Sequence, residues 1–398
     1  MTHDVSLIET IAVGLGFAFV GGFTAMRLGL PPIVGYLVAG VAVGPFTPGY
    51  IADVHLAPQL AEIGVMLLMF GIGMHFSLRD LLAVRAIALP GAFGQIALAT
   101  GLGIGLCWSW GWPVTQGIVF GLALSIASTA VLLRALEQRG IIASPDARIA
   151  VGWLIVEDLF TVAALVVIPA VAGLGGSGSL WATGLRLALT FAKVALFVAL
   201  MLVVGKRAMP WLLERVVRSG SRELFTLAVV AAALGIAFAA ARLFDVSYAL
   251  GAFFAGVVVT ESDHSHRAAE QAQPLEDAFA VLFFLSIGML FDPGILIRHP
   301  VRVLAVLAVI MLGKSLAAFA IVRIVGYPAR TGLTVAAALA QIGEFSFVVG
   351  ALGVEHGLLS SEGKDLIMAG ALLSITLNPA MFRIAELIRR RLDRAQPA

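Results

Sequence analysis

The chain has 398 residues, of which 60% are hydrophobic and 13% charged, and its mean hydropathy is +1.01. A soluble domain carries about 25% charged residues, so this composition excludes an ordinary soluble enzyme and points to an integral membrane protein. The 43 glycines agree, since glycine lets membrane helices approach closely; the net charge of +2 says little, and the lone Cys107 excludes an internal disulfide.

Runs of about 20 apolar residues mark spanning helices. Thirteen are read, near 5–26, 30–47, 57–76, 83–108, 113–135, 148–172, 180–205, 223–242, 246–261, 275–291, 300–323, 329–354 and 365–386. The first is preceded by Asp4 and no basic segment, so a cleaved signal peptide is not expected. An odd number puts the termini on opposite sides. With the N-terminus outside, cytoplasmic segments hold nineteen Lys and Arg residues against five in the outer ones. The positive-inside rule therefore sets the N-terminus outside and the C-terminus in the cytoplasm. The link 206–223 mixes Trp211, Leu212, Leu213, Val216 and Val217 with basic residues and reads as an interfacial helix on the cytoplasmic face. The Gly/Ser stretch 173–179 reads as a flexible outer loop. Basic residues sit in short clusters between apolar runs, so no nucleic-acid surface is expected; the lipid bilayer is the surrounding partner.

Three segments recur at nearly one offset. Ala39-Gly40-Val41-Ala42-Val43 resembles Ala255-Gly256-Val257-Val258-Val259, a shift of 216. Ile72-Gly73-Met74 recurs as Ile287-Gly288-Met289 at 215, and Leu124-Ser125-Ile126-Ala127 lies over Ala340-Gln341-Ile342-Gly343 at 216. Chance similarity of small-residue strings competes with each match alone; the shared offset argues against it. The matches relate spans two, three and five to nine, ten and twelve, an odd step, so the two halves are inverted in the membrane. Inverted repeats are a transporter architecture with the site between them near the midplane. The expected plan is a first repeat over 1–172, a connector over 173–222 and a second repeat over 223–398, the whole all-α.

Charge inside the spans locates the chemistry. Glu157 and Asp158 interrupt the apolar run 149–172. One charge at the bilayer centre costs at least about 2.5–3.5 kcal/mol on insertion scales, so intramembrane ionisable residues are functional candidates by default. Lys314 is the second buried charge. Glu157 lies nine residues from Arg148 and Lys314 nine from Arg323, so each is about 13 Å deep at 1.5 Å per residue. Matched depth and opposite sign predict an ion pair, against a snorkelling Lys314. Lys193 sits higher and reads as a snorkelling residue. Neighbours on a helix point about 100° apart, so the two carboxylates divide the work: one pairs with Lys314, the other faces a wet cavity. A cavity carboxylate exchanges a proton for a cation, and that competition is the chemistry of antiport.

Two spans look breakable at matching places, Ser125-Ile126-Ala127-Ser128-Thr129 and Gln341-Ile342-Gly343-Glu344-Phe345-Ser346. Interruptions in corresponding halves point to a binding site, where unwound carbonyls and half-helix ends meet an ion. Ser128 and Thr129 are candidate ligands; for Ser125, helix packing competes equally. Glu344 either caps the break or touches the ion. His264-Ser265-His266, with Glu261, Asp263 and Glu270, reads as a solvated polar loop rather than a metal site or pH sensor. Glu62 and His75 read as helix-end residues. Gly101-Leu102-Gly103-Ile104-Gly105 lacks nucleotide-loop spacing, and no metal motif or Cys/His cluster occurs, so neither catalytic residues, cofactor nor metal is expected.

These residues carry a resemblance. Leu30-Pro31-Pro32-Ile33-Val34-Gly35-Tyr36-Leu37-Val38-Ala39-Gly40, Ser128-Thr129-Ala130, the acidic pair and Gln341-Ile342-Gly343-Glu344-Phe345-Ser346-Phe347 resemble the Kef-type branch of bacterial monovalent cation:proton antiporters, over essentially the whole chain. Glu157-Asp158 and Phe70-Gly71-Ile72-Gly73-Met74-His75-Phe76-Ser77 are most similar to its YbaL subgroup. The resemblance implies a sodium/proton-antiporter-like fold in an inner membrane. It also implies a homodimer, each protomer with a dimerisation domain and a core domain moving as an elevator. It assigns Asp158 as the ion-binding carboxylate, Glu157 as a partner for Lys314, and the crossed broken helices to the two polar interruptions. The chain departs from the branch in two ways. Glu-Asp replaces the Gln-Asp of many Kef proteins, which leaves K⁺ and Na⁺ both open, K⁺ favoured. The chain ends about a dozen residues past the last span without a nucleotide-binding regulatory domain, so either that domain is a missing part of a longer protein or regulation differs.

Two other classes are weighed. A gated potassium channel needs a continuous pore and a selectivity-filter loop, which the sequence does not display. A sodium-coupled organic-solute symporter shares inverted repeats, but the buried Glu157, Asp158 and Lys314 argue for protons.

Overall fold

A computed structural model of the chain describes residues 5–48, 56–75, 78–142, 144–172, 180–244 and 246–395. The loop expected over 173–179 lies outside them, as do Phe76 and Ser77. The described residues are all helical or connecting. In chain order the helices are α1 Val5–Arg27, α2 Pro32–Val43, α3 Ala57–His75, α4 Leu78–Ser109, α5 Val114–Ser125, α6 Thr129–Glu137, α7 Pro145–Ala172, α8 Leu180–Leu200 and α9 Lys206–Arg218. There follow α10 Arg222–Phe244, α11 Tyr248–Thr260, α12 Ser265–Met289, α13 Ile295–Arg298, α14 Pro300–Ala308, α15 Lys314–Ile324, α16 Ala329–Ala338, α17 Glu344–Glu355 and α18 Ser361–Ala395. π-helical turns at Met201–Gly205 and Val309–Gly313 lead into α9 and α15.

Among the described residues nine helices are long and apolar enough to cross a membrane, and α2, α5 and α11 are shorter apolar helices. Each expected apolar run overlaps one helix or an interrupted pair, although nine helices among the described residues, rather than thirteen, reach spanning length on their own. The ends differ where hydropathy and hydrogen bonding part company. α12 begins at Ser265, so His266 lies in its first turn and His264 at its N-cap rather than in a loop. α18 runs to Ala395, because helical bonding continues into the charged stretch that closes the apolar run. Among the described residues no cluster of His, Cys, Asp and Glu is arranged to hold a metal ion.

The chain divides into two compact units. The first comprises Met1–Thr24, Gly35–Phe76 and Leu165–Phe291. In it α3 packs on α11 at backbone contact: a Cβ on Gly256 would meet the Phe70 carbonyl oxygen at 2.1 Å, and one on Gly73 the Phe253 carbonyl at 2.1 Å. Only glycine permits that approach. α9 is the amphipathic helix expected for the basic link. It buries Met209 and Leu213 and exposes Trp211 under the Arg215 guanidinium, 4.6 Å from the ring centroid.

The second unit comprises Ala25–Val34, Ser77–Ala164 and Asp292–Ala398. Its core is built from Ile87, Leu132, Leu136, Trp153, Val322 and Val335 and their neighbours, all but inaccessible. Both interrupted helices, α5/α6 and α16/α17, lie in this unit, as do Glu157, Asp158 and Lys314.

Candidate functional site

The α5 helix stops at Ser125, and Ile126 is extended at φ −88°, ψ 120°. α6 starts at Thr129 with Ser128 as its cap: the Ser128 hydroxyl accepts from the Val131 N–H at 3.2 Å. That is the ordinary N-cap bond of serine. α16 stops at Ala338, and α17 starts after Gly343, whose backbone is extended at φ −139°, ψ −154°. A Cβ on Gly343 would lie 2.3 Å from Ser128 Cβ and 2.4 Å from its Cα. Glycine at 343 thus lets the two interruptions cross at backbone distance.

The crossing is held by side chains that replace missing helical bonds. Gln341 Oε1 accepts from the Ser128 N–H at 2.9 Å, and its Nε2 donates to the Ser128 carbonyl at 3.1 Å. One amide therefore pairs with both backbone groups of one residue, as a neighbouring strand would. Ser128 Oγ donates to Glu344 Oε2 at 2.7 Å, and Ser346 Oγ to the Ile126 carbonyl at 3.2 Å. Ser315 and Asn378 donate to the carbonyls of Ala336 and Ala337 at 3.0 and 2.9 Å. Unpaired backbone groups in hydrocarbon cost several kcal/mol each, and these bonds remove that penalty.

Glu157 is fully buried on α7. It accepts from Gln95 Nε2 at 2.6 Å and from the Ala127 N–H at 3.0 Å. Gln95, from the middle of α4, also donates to the Ser125 carbonyl at 3.1 Å. The direct contact expected between Glu157 and Lys314 is not made. Lys314, fully buried just after a π turn, donates from Nζ to the Gln341 carbonyl at 3.0 Å. The two charges lie within electrostatic reach of each other, Glu157 bonded to the first interruption at Ala127 and Lys314 to the second at Gln341. A π turn inserts an extra residue and re-aims the side chains beyond it, which sequence depth does not reveal.

Asp158 is differently placed. Its Oδ2 accepts from Thr129 Oγ1 at 3.0 Å, while Oδ1 is buried without a hydrogen-bond partner among the described residues. Glu344 and Glu157 both lie within electrostatic reach of it. Three buried carboxylates thus gather near one ammonium, and Asp158 Oδ1 has no donor among the described residues. An ionised carboxylate without a partner costs several kcal/mol when buried, and a proton or a bound cation removes that cost.

The predicted site residues Ser128, Thr129, Glu157, Asp158, Lys314, Gln341, Gly343 and Glu344 come together here. Ser125 is adjacent, but its hydroxyl bonds back to the Leu122 carbonyl at 2.7 Å and contributes only its own carbonyl. Sequence reasoning missed Gln95, Ser315 and Asn378. Their signal was present, as polar side chains in otherwise apolar runs.

A buried carboxylate cluster at two crossed, interrupted helices defines a membrane ion carrier. The chain belongs to the sodium/hydrogen exchanger family: the family described as "Sodium/hydrogen exchanger, transmembrane" matches residues 15–385. It is therefore a multi-pass transporter rather than an enzyme. It is 58% identical to "Putative cation/proton antiporter YbaL" of Escherichia coli (strain K12), over 97% of this chain and 70% of that protein. It is 33% identical to "K(+) efflux antiporter 4" of Arabidopsis thaliana, over 96% of this chain and 64% of that protein. Its fold is similar to that of "the sodium proton antiporter MjNhaP1 from Methanocaldococcus jannaschii", with a TM-score of 0.67 at 16% identity, covering 95% of this chain and 97% of the other.

Proposed function

We propose that this chain exchanges a monovalent cation for protons across a bacterial inner membrane, with Asp158 as the group that holds each in turn. The observation that carries the reading is the unpartnered Oδ1 of a buried Asp158 beside Glu344 and Glu157. A proton neutralises that oxygen; a dehydrated cation does the same, and the two cannot share it. Thr129 holds the other oxygen, and the hydroxyl of Ser128 and unwound carbonyls of the crossing supply further oxygen ligands, the type that suits a hard monovalent cation. Glu157 and Lys314 each bond to one interruption of the crossing, so the protonation of either changes the field at Asp158. Gln341, Gly343 and Glu344 keep the interruptions in register.

K⁺ is favoured over Na⁺ as the cation, a preference supported by the similarity to the plant K(+) efflux antiporter. Alternating access by an elevator motion of the unit that holds the site, a homodimer, and an N-terminus outside complete the proposal. Inverted repeats fit the hydrogen bond between Ser128 and Glu344, which are 216 residues apart, the offset of the sequence repeat.

The test is a flux assay. Protein in liposomes loaded with a pH dye is challenged with K⁺, Na⁺ or Li⁺ on one side. Cation-dependent proton movement is expected for the native chain and only background for Asp158→Asn. Full activity of that variant would sink the assignment of Asp158.

A further inference from the structure

A second feature lies at the end of the second unit that the arginine distribution assigns to the cytoplasm. There a groove of about 610 Å³ is lined by five arginines and one glutamate. Arg139 follows α6, Arg330 opens α16, and Arg383, Arg389 and Arg390 come from α18. Glu386 is engaged by Arg389 and Arg390, both at 3.0 Å. The remaining three have no acidic partner among the described residues. Arg139 lies over the Phe382 ring, 3.9 Å from its centroid, and spends a hydrogen bond on the Ala135 carbonyl. Burial and the neighbouring Arg383 both push Arg139 below the usual arginine range. Three guanidiniums, from the turn after α6 and from α16 and α18, thus line one groove whose single carboxylate is taken by two other arginines, over an apolar floor of Ile141, Leu333, Phe382 and Leu387.

We propose that this groove binds a phosphate-bearing anion, carried on an anionic phospholipid headgroup or free in solution. Guanidinium forks match phosphate oxygens in pairs, and a basic pocket between helices at the cytoplasmic face is where a headgroup reaches. The apolar floor would take the glycerol and first acyl carbons of a lipid and has no use for inorganic phosphate. Because Arg139 lies just past α6 and Arg330 at the start of α16, one bound phosphate would tie together the outer ends of both interrupted helices. Its occupancy would then stabilise the element that carries the ion site, at a point remote from Asp158.

The experiment measures the thermal midpoint of the purified full chain in detergent. Phosphatidylglycerol, phosphatidylcholine and inorganic phosphate are added separately to the native protein, to Arg330→Gln/Arg383→Gln, and to Arg207→Gln/Arg222→Gln, which loses equal charge in the other unit. A rise with phosphatidylglycerol but not phosphatidylcholine is expected, mostly lost in the groove variant and retained in the other. A rise with inorganic phosphate as well, lost in the same variant, supports the site and names a soluble source. No rise with either anion, or an equal loss in both variants, overturns the proposal. Should the glutamine variant fail to fold, Arg330→Lys/Arg383→Lys keeps the charge without the fork and should show a weaker rise; an undiminished rise would count against the groove.

Discussion

At the scale of single residues, two adjacent carboxylates on one helix have opposite fates. Each Glu157 oxygen receives a donor, whereas Asp158 Oδ1 has none among the described residues; in the proposed function this difference separates a structural anion from a working one. One donor to Glu157 is the side chain of Gln95, at 2.6 Å. Gln95→Leu would keep the volume and remove both that bond and the one to the Ser125 carbonyl. Hydrogen bonds to charged groups contribute about 1.5–3 kcal/mol, so a clear fall in the thermal midpoint is expected, and an unchanged midpoint would show that Glu157 does not depend on it. The 100° between neighbours on a helix already places the two carboxyls in different surroundings. Sequence alone did not indicate Gln95, because a lone amide in an apolar run carries no mark of the partner it faces. That Lys314 reaches the Gln341 carbonyl while Glu157 stays within electrostatic reach of it has a similar cause: counting residues gives depth along a helix but not direction around it.

At the scale of elements, the interruptions were legible because hydroxyls, an amide and a glycine cluster in both runs. How they are mended was not, since it depends on which donors from α4, α15 and α18 stand opposite the freed carbonyls. Gly343 tests the crossing most directly. In Gly343→Ala the new methyl meets Ser128 backbone and Cβ atoms within 2.4 Å, which cannot yield as a flexible side chain would. Overpacking of this kind costs about 1–3 kcal/mol, and exchange should fall with stability. Gly350→Ala is the matched control, because its nearest neighbour is Ile367 Cδ1 at 3.4 Å. Equal tolerance of both substitutions would mean that the two interruptions do not need to touch.

For the whole molecule, charge belongs at the ends of helices, and the ends respond to pH. Asp292, on the turn after α12, receives the Arg298 guanidinium at 2.5 Å. That hydrogen bond holds the carboxyl below the usual carboxylate range. A carboxyl depressed in the folded state adds stability above its unfolded pKa of about 3.9 and loses it as pH falls through the folded value. Arg298→Gln should therefore lower the thermal midpoint slightly at neutral pH, Arg298 being exposed and Asp292 half-buried. The gap should close as pH drops below about 4. A gap that persists at low pH would locate the effect of Arg298 elsewhere. At this scale the helical class and the approximate run boundaries were readable, because hydropathy reports burial in lipid. The grouping of runs into two units was not, because it rests on contacts such as Gly73 with Phe253 that no periodicity encodes.

Interrupted helices are ordinarily where a protein opens most easily. Here one glutamine side chain occupies both backbone groups of Ser128, so the opening of either interruption must first break the other. Amide hydrogen exchange should follow that logic. The Ser128 N–H, outside the regular ladder of any helix, should exchange as slowly as the interior of α7, and Gln341→Ala should accelerate it while leaving α7 protected. Fast exchange at Ser128 in the native chain would instead mean that the two interruptions breathe independently.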